Sequence, residues 1–168
     1  MRLHSALIVI CLFFFCLPGT QALAKQKTLI GETAWIEIGG VPFSYLARID
    51  TGARVTSIHA TDLKITNGSL GPKQNIGREI TFKTMNRTGK IQLLTGRIKR
   101  ISTVKNSQGT EQRYTIELAL SWKDVNKTVE VNLRDRSRMT YKLLIGRNWL
   151  SGDFLVDVDM KAGNSRAK

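Results

Sequence analysis

Apolar residues fall at every second position through the later half of the chain. Tyr114, Ile116, Leu118, Leu120 and Trp122 alternate with polar or small residues over nine positions, the period of a strand that buries one face. Val129, Val131 and Leu133 repeat the pattern after the turn-like Lys123-Asp124-Val125-Asn126, which predicts a hairpin. Earlier, Trp35, Glu37 and Gly39 alternate with Ile36 and Ile38, and Gly39-Gly40 turns the chain into a second apolar run at 43–49. Residues 80–84 and 91–104 read as further strands, the second long and bent near Gly96. Asn106, Ser107, Gln108 and Gly109 form a turn signal between two strand-like runs. Only residues 59–63 and 147–150 are candidates for helix, each about one turn long. No solenoid-period repeat, low-complexity tract or obvious linker interrupts this pattern. One small all-β domain with one or two single-turn helices is expected.

The first residues break the pattern. Arg2 precedes an unbroken apolar run from Ala6 to Leu17, then Pro18-Gly19, then the small-x-small Ala22-Leu23-Ala24. That order is a signal peptide with cleavage after Ala24, and the apolar run is short for a membrane span of about twenty residues. The expected division is residues 1–24 as leader, 25–160 as domain and 161–168 as a polar tail. The product is then exported, periplasmic or secreted, and an uncleaved leader would be its contact with a membrane.

Composition narrows the chemistry. The 168 residues carry 26 Lys+Arg against 13 Asp+Glu, and losing the leader removes only Arg2, leaving a net +12. Seven bases and no acid lie between Ile80 and Thr110, and Arg134, Arg136, Arg138 and Lys142 form a second cluster. Such a surface is either a solvated face or a grip on an anionic partner. Export argues against nucleic acid as that partner, and three of only twelve aromatics lie in the leader, too few for base-stacking strands. Both cysteines and His4 also fall within the leader, so the domain keeps one histidine, His59, and no cysteine. Zinc fingers, iron–sulfur clusters, cysteine nucleophiles and disulfide frameworks are excluded, and no metal or cofactor is expected. For His59 itself a hydrogen-bonded structural role is expected.

Two segments carry candidate chemistry. In the first, the apolar run ends in Asp50-Thr51-Gly52-Ala53; in the second, Leu143-Leu144-Ile145 ends in Gly146-Arg147-Asn148. Asp-Thr-Gly alone is also ordinary turn chemistry. Its meaning comes from the second segment near the other end of the same β domain.

Together these segments resemble retropepsin-like aspartic proteases, and more closely a bacterial branch often labelled an "ATP-dependent zinc protease". The match runs through Ala47–Arg54, Ser57, His59-Ala60, Ile116-Glu117-Leu118, Asn132–Met139, Leu143–Leu150 and Phe154–Asp157. The label finds no support here: there is no His-Glu-x-x-His, no phosphate-binding Gly-Lys loop, and one histidine cannot hold a catalytic zinc. The resemblance implies a small acid-protease barrel, one lobe per chain, with two chains pairing to bring two aspartates together. Two facing carboxyls cannot both ionise, so one keeps a proton while the other activates a water. On this reading Asp50 is the acid/base, the Thr51 hydroxyl bonds across the twofold and Gly52 lets the loops approach. Ala53 and Arg54 continue the active-site loop. Gly146 lets the second strand pass close behind it and Arg147 pins it. The flap over the substrate is expected at Asn106–Gly109, with residues 86–90 as second choice.

Departures from the viral members matter. Arg54 stands where they carry an acid that pairs with the arginine matched by Arg147, so that pair cannot form. A cation there favours anionic substrates. The spacing from Asp50 to Gly146 is also longer, which leaves room for an insertion. Members of the bacterial branch are associated with ligases that add glutamate, which points to acidic peptides or proteins as substrate. The competing reading is a non-catalytic basic module that binds envelope polymer on a protease-like fold.

Overall fold

The computed structural model describes residues 26–106 and 109–160. The leader and the polar tail therefore lie outside the described residues, as do Ser107 and Gln108. Among the described residues, twelve strands, a 3₁₀ turn and a four-residue helix follow one another. They are β1 (Thr28–Ile30), β2 (Thr33–Ile38), β3 (Tyr45–Ile49), β4 (Thr56–His59), β5 (Thr61–Ile65), the 3₁₀ turn Pro72–Asn75, β6 (Glu79–Met85), β7 (Ile91–Arg97), β8 (Arg100–Asn106), β9 (Gly109–Trp122), β10 (Val125–Arg134), β11 (Leu143–Ile145), α1 (Arg147–Leu150) and β12 (Phe154–Val156).

The all-β class stands, but the expected acid-protease barrel does not. The strands divide over three sheets instead of closing into one barrel. Seven are ordered β10-β4-β11-β3-β2-β9-β8, with a further β9–β10 pairing; three are ordered β5-β6-β7; β1 pairs only with β12. The physical reason lies in the pairing. The long β9 takes β8 along its first half, antiparallel from Asn106↔Gly109 to Arg100↔Thr115. This leaves β8 as an edge with no further strand partner among the described residues. The segment between β4 and β8 forms its own antiparallel sheet, its β6–β7 pairing running from Glu79↔Arg97 to Met85↔Ile91.

Other expectations are corrected locally. Residues 59–63 are not helical: His59 ends β4 and Thr61 begins β5. All four residues of β4 are buried, because it lies between β10 and β11 with both faces covered. The run at 91–104 is two strands, because Ile98 N–H donates to Arg78 O while Lys99 N–H donates to Thr115 O. The chain changes partners at that point. The 3₁₀ turn was not foreseen, although Pro72 at its start is the ordinary signal for one. The hairpin after Trp122 is tighter than expected, with Trp122 opposite Val125 and Lys123 in the left-handed region.

Inward positions of the alternating strands make a single core. Ile36, Tyr45, Ile58, Ile116, Leu120, Val131, Leu143 and Ile145 are all fully buried. Burying such side chains contributes about 1.5–3 kcal/mol each before the entropy of ordering them. Trp149, from α1, is buried in this core.

Candidate active site

Strand register sets the site. β3 and β11 run parallel with Ala47 opposite Leu143 and Ile49 opposite Ile145. Asp50 N–H continues that ladder by donating to Ile145 O at 2.9 Å. The two segments singled out by sequence therefore end side by side. After Asp50 the chain turns on its own side chain: Oδ1 accepts from Gly52 N–H at 2.9 Å and from Ala53 N–H at 3.0 Å. This is the local Asp–backbone bonding that makes aspartate a turn residue. Asp50 is half-buried, whereas Thr51 and Gly52 are exposed.

Gly146 is required by close approach. A Cβ there would lie 2.7 Å from the Val55 carbonyl carbon and 3.0 Å from Ala53 O and Thr56 N. Those neighbours are backbone and cannot swing aside. From this contact α1 fastens the loop. Arg147 N–H donates to Ala53 O at 2.8 Å, and its guanidinium Nη1 donates to Thr51 O at 2.8 Å and Gly52 O at 3.1 Å. Asn148 and Thr56 complete the lock, and sequence reasoning gave neither a role. Asn148 Oδ1 accepts from Thr56 N–H and Oγ1 at 3.0 and 2.9 Å, Asn148 Nδ2 donates to Glu130 O at 2.8 Å, and Gly146 N–H donates to Thr56 Oγ1 at 3.1 Å. Asn148 lay within the quoted Gly-Arg-Asn segment; nothing marked Thr56.

Of the other expected site residues, only Arg54 directly follows this loop. Arg54 is exposed and lines an open cavity of about 630 Å³ with Val55, Arg100, Val129, Glu130 and Asn148. Arg100 donates to Glu130 at 2.7 Å, a bond that holds the Glu130 carboxyl below its usual range. Of the first flap candidate, Asn106 and Gly109 pair at the end of the β8–β9 hairpin, and Ser107 and Gln108 are outside the described residues. The turn at 86–90 is fixed by Asn86, whose Oδ1 accepts from Thr88 N–H and Lys90 N–H. Its Nδ2 reaches Ser44 O, at the opposite end of β3 from Asp50. Among the described residues no group of three or more His, Cys, Asp or Glu gathers as a metal-binding cluster.

His59 organises the neighbouring loop. Its ring is buried, its Nδ1 accepts from Arg136 N–H at 3.0 Å, and its backbone N–H donates to Lys142 O at 2.7 Å. An accepting Nδ1 requires that this nitrogen carry no proton. Burial accordingly lowers the His59 pKa, against the opposing pull of Asp135. The unfolded chain then binds the proton more readily, so stability is complete above the ordinary histidine range near 6.5 and falls as the pH drops below it. Unfolding free energies from urea titrations between pH 7.5 and 5.5 should decline by up to about 1.4 kcal/mol per pH unit once inside that window. In His59→Gln protein this slope should flatten. An equal slope in both would assign it to other groups.

Comparison with known proteins follows the same outline. The family model described as "RimB-like: Retropepsin-like aspartic endopeptidase RimB" matches residues 29–166. A protein named "Probable alpha-L-glutamate ligase" from Shewanella pealeana is 30% identical over 146 residues, covering 80% of this chain and 29% of that protein. The protein of the same name from Parasynechococcus marenigrum is 27% identical over 137 residues, covering 79% and 28%. The chain thus spans less than a third of the length of these curated relatives. Among solved structures, a Legionella pneumophila protein described as of unknown function superposes with a TM-score of 0.65 at 24% identity, covering 82% of this chain and 98% of that one. This likeness concerns the fold alone.

Proposed function

The chain belongs to the RimB-like family of retropepsin-like aspartic endopeptidases, and on that premise we propose that it hydrolyses peptide bonds with two aspartates, one Asp50 from each of two copies. The observation that carries this reading is the half-site itself. One carboxylate is committed through Oδ1 to its own turn, the turn is fastened by Arg147, and the chain holds a single Asp-Thr-Gly. A second carboxyl must come from elsewhere. Leu29 and Leu155, each 53% exposed and directly opposite one another on β1 and β12, give an apolar face suited to a second copy.

In the paired state the ionised carboxyl takes a proton from water as its oxygen attacks the scissile carbonyl carbon. The protonated carboxyl donates to the developing oxyanion. Collapse of the tetrahedral species breaks the C–N bond and the amine leaves with a proton. Thr51 and Gly52, exposed at the loop tip, are suited to meeting their counterparts. The net positive charge and the name of the ligase relatives, which joins alpha-L-glutamate, favour acidic peptides as substrate. Residues 1–24 carry the pattern of an export signal, which supports action outside the cytoplasm.

The test is a peptide-library digest with protein lacking residues 1–24, run beside sedimentation over a concentration series. Cleavage that rises with the dimer fraction is the expected result, and a fully active monomer would sink the paired site. Failure to cleave anything across a broad pH range would leave the basic-module reading standing.

A further inference from the structure

A second cavity, of about 800 Å³, lies away from Asp50, between the end of β2, the turn into β3 and the turn at 86–90. Extended chain separates Ser44, on its wall, from Asp50 by about 20 Å at the rise of a strand. Its walls come from two sheets that are tied together. Tyr45 of β3 donates from its hydroxyl to Thr84 Oγ1 of β6 at 3.2 Å, and buried Asn86 both holds the 86–90 turn and reaches Ser44 O. On the other side Glu37 of β2 is opposite Ser121 of β9, and Gly39 N–H donates to Ala119 O at 2.9 Å. The cavity is therefore formed in advance, which lowers the ordering cost of binding.

Its lining carries two opposite charges. Trp35 and Glu37 are two apart on β2, so both side chains leave the same face of the strand. An indole and a carboxylate side by side suit a cation, the one through its ring face and the other through its charge. Lys90 brings the opposite charge from the other sheet's turn. Neither the Glu37 nor the Lys90 side chain forms an ion pair or hydrogen bond with any described residue. For the acid this is unusual. Bases outnumber acids 26 to 13, and Glu32, Asp62, Glu111, Glu117, Glu130 and Asp153 each pair with a Lys or Arg.

These charges select among ligands. A simple cation would be repelled by Lys90 and a simple anion by Glu37, whereas a molecule bearing both charges satisfies both walls. The remaining lining, apolar at Val41, Pro42 and Phe43 and hydroxylic at Ser44, Thr88 and Ser121, suits a small apolar side chain and amide groups. The volume is that of a site for a molecule larger than one amino acid. We propose that this cavity binds a short zwitterionic peptide, its ammonium against Glu37 and Trp35 and its terminal carboxylate against Lys90. The site stands whether or not Asp50 is a reacting centre.

The test uses Asp50→Asn protein lacking residues 1–24, so that no probe is consumed. The tripeptide Ala-Leu-Ala is titrated by calorimetry and by tryptophan fluorescence, beside its N-acetylated, C-amidated and doubly blocked forms and free leucine. Saturable binding of the free tripeptide is expected. Acetylation should weaken it about 10-fold, the scale of a cation–π contact added to an exposed ion pair, and amidation about 3-fold, that of the exposed pair alone. Glu37→Gln should lose the response to acetylation and Lys90→Gln the response to amidation, each keeping the other. Glu79→Gln removes an exposed carboxylate outside this lining and should keep both. Trp35→Phe should lose the fluorescence change, since neither Trp122 nor Trp149 lines the cavity. The proposal is overturned by any of four results: no saturable binding, equal affinity for the doubly blocked peptide, leucine bound as tightly as the tripeptide, or a fluorescence change that survives Trp35→Phe. Binding is read here without turnover, so a wild type that cleaves nothing counts against the protease reading alone.

Discussion

Asp50→Asn should abolish peptide hydrolysis and leave the fold in place. Asparagine keeps an Oδ1 that can accept from Gly52 and Ala53 N–H, the two bonds that shape the loop at 2.9 and 3.0 Å. What it loses is the ability to take a proton from the attacking water. In a twofold assembly that loss falls on both sides at once. A general base alone is worth roughly 10²–10⁴-fold, and losing the water's orientation with it should deepen the effect. The thermal midpoint should move little, because any weakening of the charge-assisted turn bonds is offset by relief between facing carboxyls. Asp50→Ala is the contrast: it removes the acceptor for both N–H groups, so it should lose stability as well as activity. The readout is turnover on a cleaved library peptide beside a melting curve. Wild-type turnover by the Asn variant would end the aspartic-protease reading.

Sequence pattern reached much of this arrangement, for reasons visible in particular residues. Strand β9 was legible because Ile116, Leu118 and Leu120 are buried while Glu117 between them is exposed, and β10 keeps the same alternation of apolar letters. β4 was not, because Thr56, Ser57, Ile58 and His59 are all buried and leave no period to read. β1 and β12 pair in parallel across most of the chain, Thr28 with Phe154, and three-residue strands joined only by register give no local signal. The division into three sheets escaped notice for the same reason: pairing is decided by long-range contacts, as when Lys99 leaves one sheet for Thr115 of another. At the site, Asp50 and Gly146 stood out because their residue types are constrained, by turn bonding in one case and by backbone at 2.7 Å in the other. Away from the site, the burial of Arg136 was not legible. In the run Arg134-Asp135-Arg136-Ser137-Arg138 a buried guanidinium and an exposed one are the same letter, and only the loop around His59 and Lys142 separates them.

Trp149→Ala should produce the largest loss of stability, and it should silence the site without touching its chemistry. Trp149 is fully buried, its ring stacked on Phe154 at 4.6 Å and 15° between planes. Its Nε1–H donates to Leu120 O at 3.2 Å. The side chain thus joins α1 to β9 and, through Phe154, to the β1–β12 pair. Truncation costs about 3–5 kcal/mol for the lost burial and the cavity left behind, and Leu120 O loses that side-chain donor as well. A domain of ordinary stability has about 5–15 kcal/mol in total, so the change removes a large share of it. The loosened helix carries Arg147 and Asn148, which hold the Thr51 and Gly52 carbonyls and Thr56. Activity should therefore fall in step with the unfolded fraction. Trp149→Phe keeps a ring against Phe154 but not the N–H, so its loss should stay at roughly 0.5–1.5 kcal/mol, that of one hydrogen bond, plus a small packing change. Urea titrations of the three proteins at one concentration give the ranking. A midpoint for Trp149→Ala equal to wild type would mean that α1 is held by something other than this ring.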